Sequence, residues 1–238
     1  SALEFAPMEI STKAVGDPPM IQTAENLAKK YNITREECDA FALNSQQKAA
    51  AAWERGFFDD ETFPIEIPQR KGDPIVFKMD ECVRPDTTLE GLAKLRPVMK
   101  DGVVTAGNAS PMNDGASAVL LMSREKAQEL GLTPMAKVAA YASAGVDPNI
   151  MGIGPVYATR KLMQKTGLTI DDFDIIELNE AFAAQSLACI KELDINTEKL
   201  NPNGGAIAIG HPNAASGGVL TARTVRYMQE QDLKKGLI

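Results

Sequence analysis

The sequence holds one histidine, one tryptophan and three cysteines in 238 residues, and only 5% of it is aromatic. A single imidazole, His211, leaves too few histidines for a zinc site or a catalytic histidine pair. Cys38, Cys82 and Cys189 are odd in number and far apart. They form neither a disulfide framework nor a CxxC metal or redox motif, so a reducing compartment is expected, the cytoplasm or an organellar matrix. No apolar run approaches the roughly 18 residues of a membrane span, and no basic stretch followed by an apolar one opens the sequence. Neither a spanning helix nor a signal peptide is expected. With 25 basic against 32 acidic residues the net charge is −7, which lacks the basic footprint of a general nucleic-acid binder. What is present, 44% hydrophobic and 24% charged residues, describes a folded globular chain of one large or two smaller domains.

The first hundred residues read as irregular and charged. A loop is expected over residues 1–22, with turn chemistry at Gly16-Asp17-Pro18-Pro19, then a short helix capped by Thr23 and running through Lys30. Thr34 and Glu37 make a capping box ahead of Cys38, Phe41, Ala42, Ala49, Ala52 and Trp53 at helical spacing, with Gly56 as the stop. Short strands are expected at Ile65–Ile67 and Ile75–Phe77, and a helix from Thr88 to Leu95. Small residues then dominate 105–122. Beyond them the pattern alternates: helix 124–130, strand 138–141, helix 155–165 stopped by Gly167, buried strand 174–178, helix 181–192, strand 205–209 and helix 216–229. Strands alternating with such helices predict an α/β layered domain. The division expected is a loop or lid domain over 1–104 and a core domain over 105–238.

Two stretches carry chemistry. In Asn179-Glu180-Ala181-Phe182 a polar pair interrupts the junction of an apolar strand and a helix, where layered α/β proteins place their sites. In Asn203 to Pro212 a glycine-rich apolar run delivers His211 to the start of another helix. Each has a plain reading, Asn179 as a helix N-cap and the glycines as turns, and Gly204, Gly205 and Gly210 fit no phosphate-binding or dinucleotide fingerprint. Together they place two polar groups where both can face one oxyanion.

Asn179 to Gln185 with Asn201 to Pro212 resembles the thiolase family. So do Thr105-Ala106-Gly107-Asn108-Ala109-Ser110, Ala93-Lys94-Leu95-Arg96-Pro97 behind Asp80-Glu81, Thr23-Ala24-Glu25-Asn26, and Val146-Asp147-Pro148 through Met151 to Pro155. The resemblance covers residues 20 to 238. It implies a thiolase-like layered α/β/α core half with an irregular α+β lid. The activity it implies is a coenzyme A-dependent acyltransferase that condenses acyl-CoAs or cleaves 3-ketoacyl-CoA. No permanently bound cofactor is implied; coenzyme A and its thioesters are substrates, and the assembly is a homodimer or homotetramer. By the same resemblance His211 activates a cysteine thiol and donates to a thioester oxygen, and Asn179 fixes a water that completes an oxyanion hole with it. Ser110 is implied against the pantetheine arm, Met20, Met151 and Phe182 along the acyl and pantetheine tunnel, and Arg84 near the nucleotide end of coenzyme A.

Some positions depart from the family pattern. The family's nucleophilic cysteine belongs to an N-terminal half not found in these residues, and its second cysteine motif is expected shortly beyond Lys234-Lys235-Gly236. None of the three cysteines present lies in either context. Asn213-Ala214 stands where the family has a branched aliphatic residue and glycine, and Pro111 follows Ser110 where glycine is common. The alternative implied by the missing thiols is a non-catalytic thiolase-like subunit that binds acyl-CoA or lipid.

Overall fold

The computed structural model describes residues 11, 12 and 14–238, so half of the loop expected over 1–22 lies outside the described residues. Gly16, at φ 96°, supports the turn before Pro18, and the chain enters a first helix, α1 (Met20–Tyr31), directly after Pro19. The cap expected of Thr23 is corrected. Helix α1 starts at Met20, and Thr23 is buried in its first turn, its hydroxyl donating to Met20 O at 2.7 Å. The proline ring fixes the entry angle without a side-chain cap.

The capping box at Thr34 forms as the sequence predicts. Its hydroxyl accepts from Glu37 N at 3.2 Å, and the Glu37 carboxylate accepts from Thr34 N at 2.7 Å. This starts α2 (Arg35–Glu54), followed by Gly56 at φ 75°. An antiparallel hairpin follows, β1 (Ile65–Ile67) against β2 (Ile75–Phe77), and then α3 (Leu89–Ala93) capped by the Thr88 hydroxyl. Next come α4 (Arg124–Glu129), a 3-10 stretch Pro148–Ile153 that leads into α5 (Gly154–Thr166), and β3 (Ile175–Ile176). The chain closes with α6 (Ala183–Leu193), α7 (Ala206–Ile209), α8 (Ser216–Glu230) and β4 (Gly236–Leu237). Strand β4 pairs in parallel with β3, and Leu200 bridges β3 from its other side. Helices with a parallel strand pair make the fold α/β.

Two further expectations are corrected. Residues 138–141 form no strand and make no ladder with any described residue, and Val138 and Tyr141 are 71% and 82% exposed. β-branched and aromatic residues favour an extended chain, but a strand also needs a neighbour to complete its ladder. The strand at 205–209 is the single helical turn α7. Alternation in so short an apolar run does not separate strand from helix, and Ala206, Ile207 and Ala208 are all buried. Gly204 forces this entry: it sits at φ 77°, and a Cβ there would lie 2.6 Å from Ser45 O.

The main core gathers Leu27 of α1, Ala42 of α2, Ile153, Val156 of α5, Ile176 of β3 and Ala184 of α6. Around Phe57 and Phe58 a smaller cluster forms, with Arg55, Arg223 and Arg226 stacked on the rings. Beneath α8 lies Glu177, 2% exposed, whose two carboxylate oxygens have no hydrogen-bond partner among the described residues. Burial pushes its pKa up to about 8, with Arg223 opposing that rise and Glu180 and Glu61 adding to it. A raised acid favours the proton-bound folded state, so stability is fully present below the unfolded value near 4.5 and falls as pH climbs towards 8. Glu177→Gln should flatten urea stability across pH 5 to 8. An unchanged slope would show that the carboxyl is ionised throughout.

Candidate active site

Asn179 follows β3 on the connection into α6, and His211 follows α7 on the connection into α8. The expectation that both sit at strand ends is therefore corrected for His211, which a helical turn delivers. The two side chains nonetheless converge, with Asn179 Nδ2 3.3 Å from His211 Nε2. On the other edge of the ring, Nδ1 lies 2.7 Å from Ser216 Oγ at the start of α8. Asn179 and His211 are half-buried, and partial burial holds the imidazole below its ordinary pKa, so it is neutral at physiological pH.

The loops carrying the pair are fixed by side chains whose part the sequence did not reveal. Glu180, 2% exposed, points away from Asn179 into the core. It accepts from Ser45 Oγ at 2.6 Å, Asn201 Nδ2 at 2.8 Å and Ile207 N at 3.3 Å, which ties the β3–α6 connection to α2 and α7. Desolvation raises its pKa while these donors oppose the rise. Asn201 also clips Leu178 on both sides, accepting from its N and donating to its O at 2.9 Å each. Asn113 holds the histidine loop from outside, its Oδ1 accepting from His211 N at 3.2 Å. Gly210, at φ 102°, lets Asn113 approach, because a Cβ there would collide with its carboxamide. In sequence Glu180 and Asn201 are signalled only by lying in or beside the two motifs, and Asn113, far from both, carries no such signal.

Of the remaining candidates, Ser110 and Phe182 join the site. Ser110 N and Oγ both donate to Ala181 O, at 3.0 and 3.1 Å, and Ala109 bridges Phe182 in antiparallel fashion. Met112 bridges His211, so residues 109 to 113 run between the two motifs. Met20 opens α1, and Met151 lies in the 3-10 stretch packed on that helix, 37% exposed. Arg84 is exposed. Its backbone N donates to Gln46 Oε1 at 2.7 Å, and Gln46 Nε2 donates to Ile207 O at 3.4 Å, which links its loop to α7. No hydrogen bond joins Met20, Met151 or Arg84 to the Asn179–His211 pair among the described residues.

The cysteines are placed as incidental to the pair. Burial pushes Cys38 up to about 12 and Cys189 up to about 11, leaving both as inert thiols. Cys82 is half-buried and accepts from Asn113 Nδ2 at 3.4 Å. Iodoacetamide at neutral pH is expected to alkylate Cys82 alone in the folded chain and every cysteine after denaturation, read by intact mass. Modification of Cys38 before unfolding would contradict its burial. No cluster of His, Cys, Asp or Glu able to hold a metal occurs among the described residues, and none of their helices is long and apolar enough to cross a membrane.

Comparison with known proteins identifies the family. The sequence profile of the thiolase N-terminal domain matches residues 7–125, and that of the C-terminal domain matches residues 132–238. An acetyl-CoA acetyltransferase of Pseudomonas aeruginosa is 59% identical over 225 residues, 94% of this chain and 57% of that protein. One from Chromobacterium violaceum is 57% identical over 216 residues, 90% of this chain and 55% of that protein. Among solved structures, the Bacillus anthracis acetyl-CoA acetyltransferase superposes with a TM-score of 0.90 at 45% identity, covering 98% of this chain and 61% of that one. Human mitochondrial 3-ketoacyl-CoA thiolase in complex with CoA gives 0.86 at 45% identity, covering 95% and 56%. The chain spans little more than half the length of the curated relatives it matches. On matches to both of its domains and close relatives of this kind, the chain belongs to the thiolase family.

Proposed function

We propose that these residues supply the histidine–asparagine half of an acyl-CoA acyltransferase site, acting in thiolytic cleavage of 3-ketoacyl-CoA or in the reverse condensation. The observation that carries the reading is the approach of Asn179 Nδ2 to His211 Nε2 at 3.3 Å in a chain with a single histidine. A neutral imidazole at this position takes the proton of an attacking thiol. Once protonated it becomes a donor to the oxygen on which negative charge develops. Asn179, on the same side, fixes a water that supplies the second donor, so the two favour an enolate or tetrahedral oxyanion over the ground-state carbonyl. The acyl-accepting thiol comes from residues outside this sequence, because neither Cys38 nor Cys189 is activated and Cys82 bonds Asn113 rather than the ring.

Ser110 and Phe182, held beside Asn179 by the Ala181 and Ala109 contacts, suit the pantetheine arm, and the exposed Arg84 suits a coenzyme A phosphate. Assembly as a homodimer or homotetramer belongs to the same reading, supported by the apolar residues Ile65, Ile75 and Phe77 exposed on the hairpin. The test is a chimaera in which this chain replaces the matching segment of the Pseudomonas aeruginosa relative, assayed with acetoacetyl-CoA and longer 3-ketoacyl-CoAs. Turnover supports the proposal. A folded chimaera that binds coenzyme A without turnover sinks it in favour of a binding subunit.

A further inference from the structure

Among the described residues His211 has hydrogen-bonding neighbours on both ring nitrogens, and together they admit one consistent arrangement of protons. On the outer edge, Nε2 faces the Asn179 amide nitrogen at 3.3 Å, a group that can only donate. Nε2 must then carry a lone pair, and the ring proton resides on Nδ1. On the inner edge, Ser216 Oγ stands 2.7 Å from Nδ1 and 3.1 Å from Pro212 O. A hydroxyl has one proton to give. Sent to Pro212 O, it leaves the oxygen lone pairs for Nδ1–H, so every donor finds an acceptor. In the opposite tautomer Nε2–H would point at the Asn179 N–H, a donor facing a donor, while Pro212 O would keep the backbone N–H groups of Ala215 and Ser216, at 2.8 and 2.9 Å.

We propose that Ser216 is a positioning residue that fixes His211 as the Nδ1–H tautomer and so keeps the proton-accepting lone pair on Nε2, the edge that faces Asn179. Its place in the fold suits this task. Ser216 is the first residue of α8, buried at 9% exposure, and its backbone N is anchored on Pro212 O, so its hydroxyl is held by the same turn that presents the ring. The imidazole is thereby oriented by a neutral partner in place of the carboxylate that commonly serves this purpose. A neutral partner leaves a protonated imidazole without a fixed counter-charge. Such a ring gives its proton up readily to a developing oxyanion.

The proposal deepens the acyltransferase reading, but its test needs no substrate and so stands or falls separately. With a single histidine in the sequence, nitrogen-15 to proton correlation spectra of the ring contain one residue only. In the unmodified chain above the ring pKa, Nδ1 should give the protonated-nitrogen signature and Nε2 the unprotonated one. A dominant Nε2–H form overturns the assignment and means that Asn179 presents its oxygen to the ring. Ser216→Ala should shift the tautomer ratio by about 5-fold towards Nε2–H, the ratio equivalent of one net hydrogen bond. Ser216→Thr should restore the original ratio. A Ser216→Ala chain that keeps its amide spectrum and its ratio would overturn the role of the hydroxyl. Should that variant fail to fold, the unmodified and Ser216→Thr spectra still decide, since Ser216→Thr must match the unmodified chain.

Discussion

His211→Ala, introduced into the chimaera with the Pseudomonas aeruginosa relative, is expected to lower turnover of 3-ketoacyl-CoA by about 10³-fold or more while leaving KM within a few-fold. In the proposed function the ring is proton acceptor, a role worth about 10²–10⁴ in rate, and then oxyanion donor, worth about 10²–10³. Asn179→Ala should cost about 10²–10³ through loss of the water donor it holds. The double variant should be little worse than His211→Ala, because residues that act as a unit do not lose rate additively. Since burial holds the ring below its ordinary pKa, activity should rise with pH through a midpoint on the acid side of an exposed histidine. A Pro212-flanked ring that merely packs would leave turnover within about 10-fold when removed. That result would withdraw the catalytic assignment.

Glu180→Ala is expected to destabilise the chain by roughly 2–5 kcal/mol, because buried donors left unpaired cost about 1–3 kcal/mol each and a cavity adds to that. The side chain is 2% exposed and accepts from Ser45, Asn201 and Ile207, so truncation strands donors from separate segments in a cavity no solvent reaches. Glu180→Gln should cost less, because its amide oxygen still accepts, although its NH₂ then faces a donor. Urea midpoints for both variants test this, and equal losses would show that the volume of the side chain matters and its hydrogen bonds do not. Gly205 belongs to the same arrangement. A Cβ at that position would collide with the Glu180 carboxyl, so the glycine of the sequence motif is there for close approach of a core carboxyl to the backbone.

Local rules read the helices well. The capping box at Thr34, the glycine after α2 and Gly167 after α5 each act within a few residues, and such signals survive without knowledge of the fold. Segments whose state depends on distant partners were read less well. Residues 206–209 form a helical turn that follows Gly204, whose positive φ and close approach to Ser45 and Ala49 of α2 are set by the fold, and nothing near them in the sequence says so. Residues 138–141 have the composition of a strand, yet no described residue pairs with them. The site divides the same way. Asn179 and His211 were legible because a polar pair at a junction and a lone imidazole behind glycines are conspicuous, and because their motifs resemble a known family. Asn113, Asn201 and Ser216 are ordinary turn and cap residues by type, and only the fold brings their amides and hydroxyl to the histidine loop and the Asn179 connection.

The unpartnered carboxyl of Glu177 has a calorimetric consequence. Around pH 6 to 7 the folded chain keeps a proton there that the unfolded chain does not hold, given a folded pKa of about 8. Unfolding near neutrality therefore releases a proton to the buffer. The heat measured for melting will include the enthalpy with which that buffer takes the proton up. Scans in phosphate and in Tris at one pH should differ by about the difference between their ionisation heats, and the Glu177→Gln chain should melt with nearly the same heat in both.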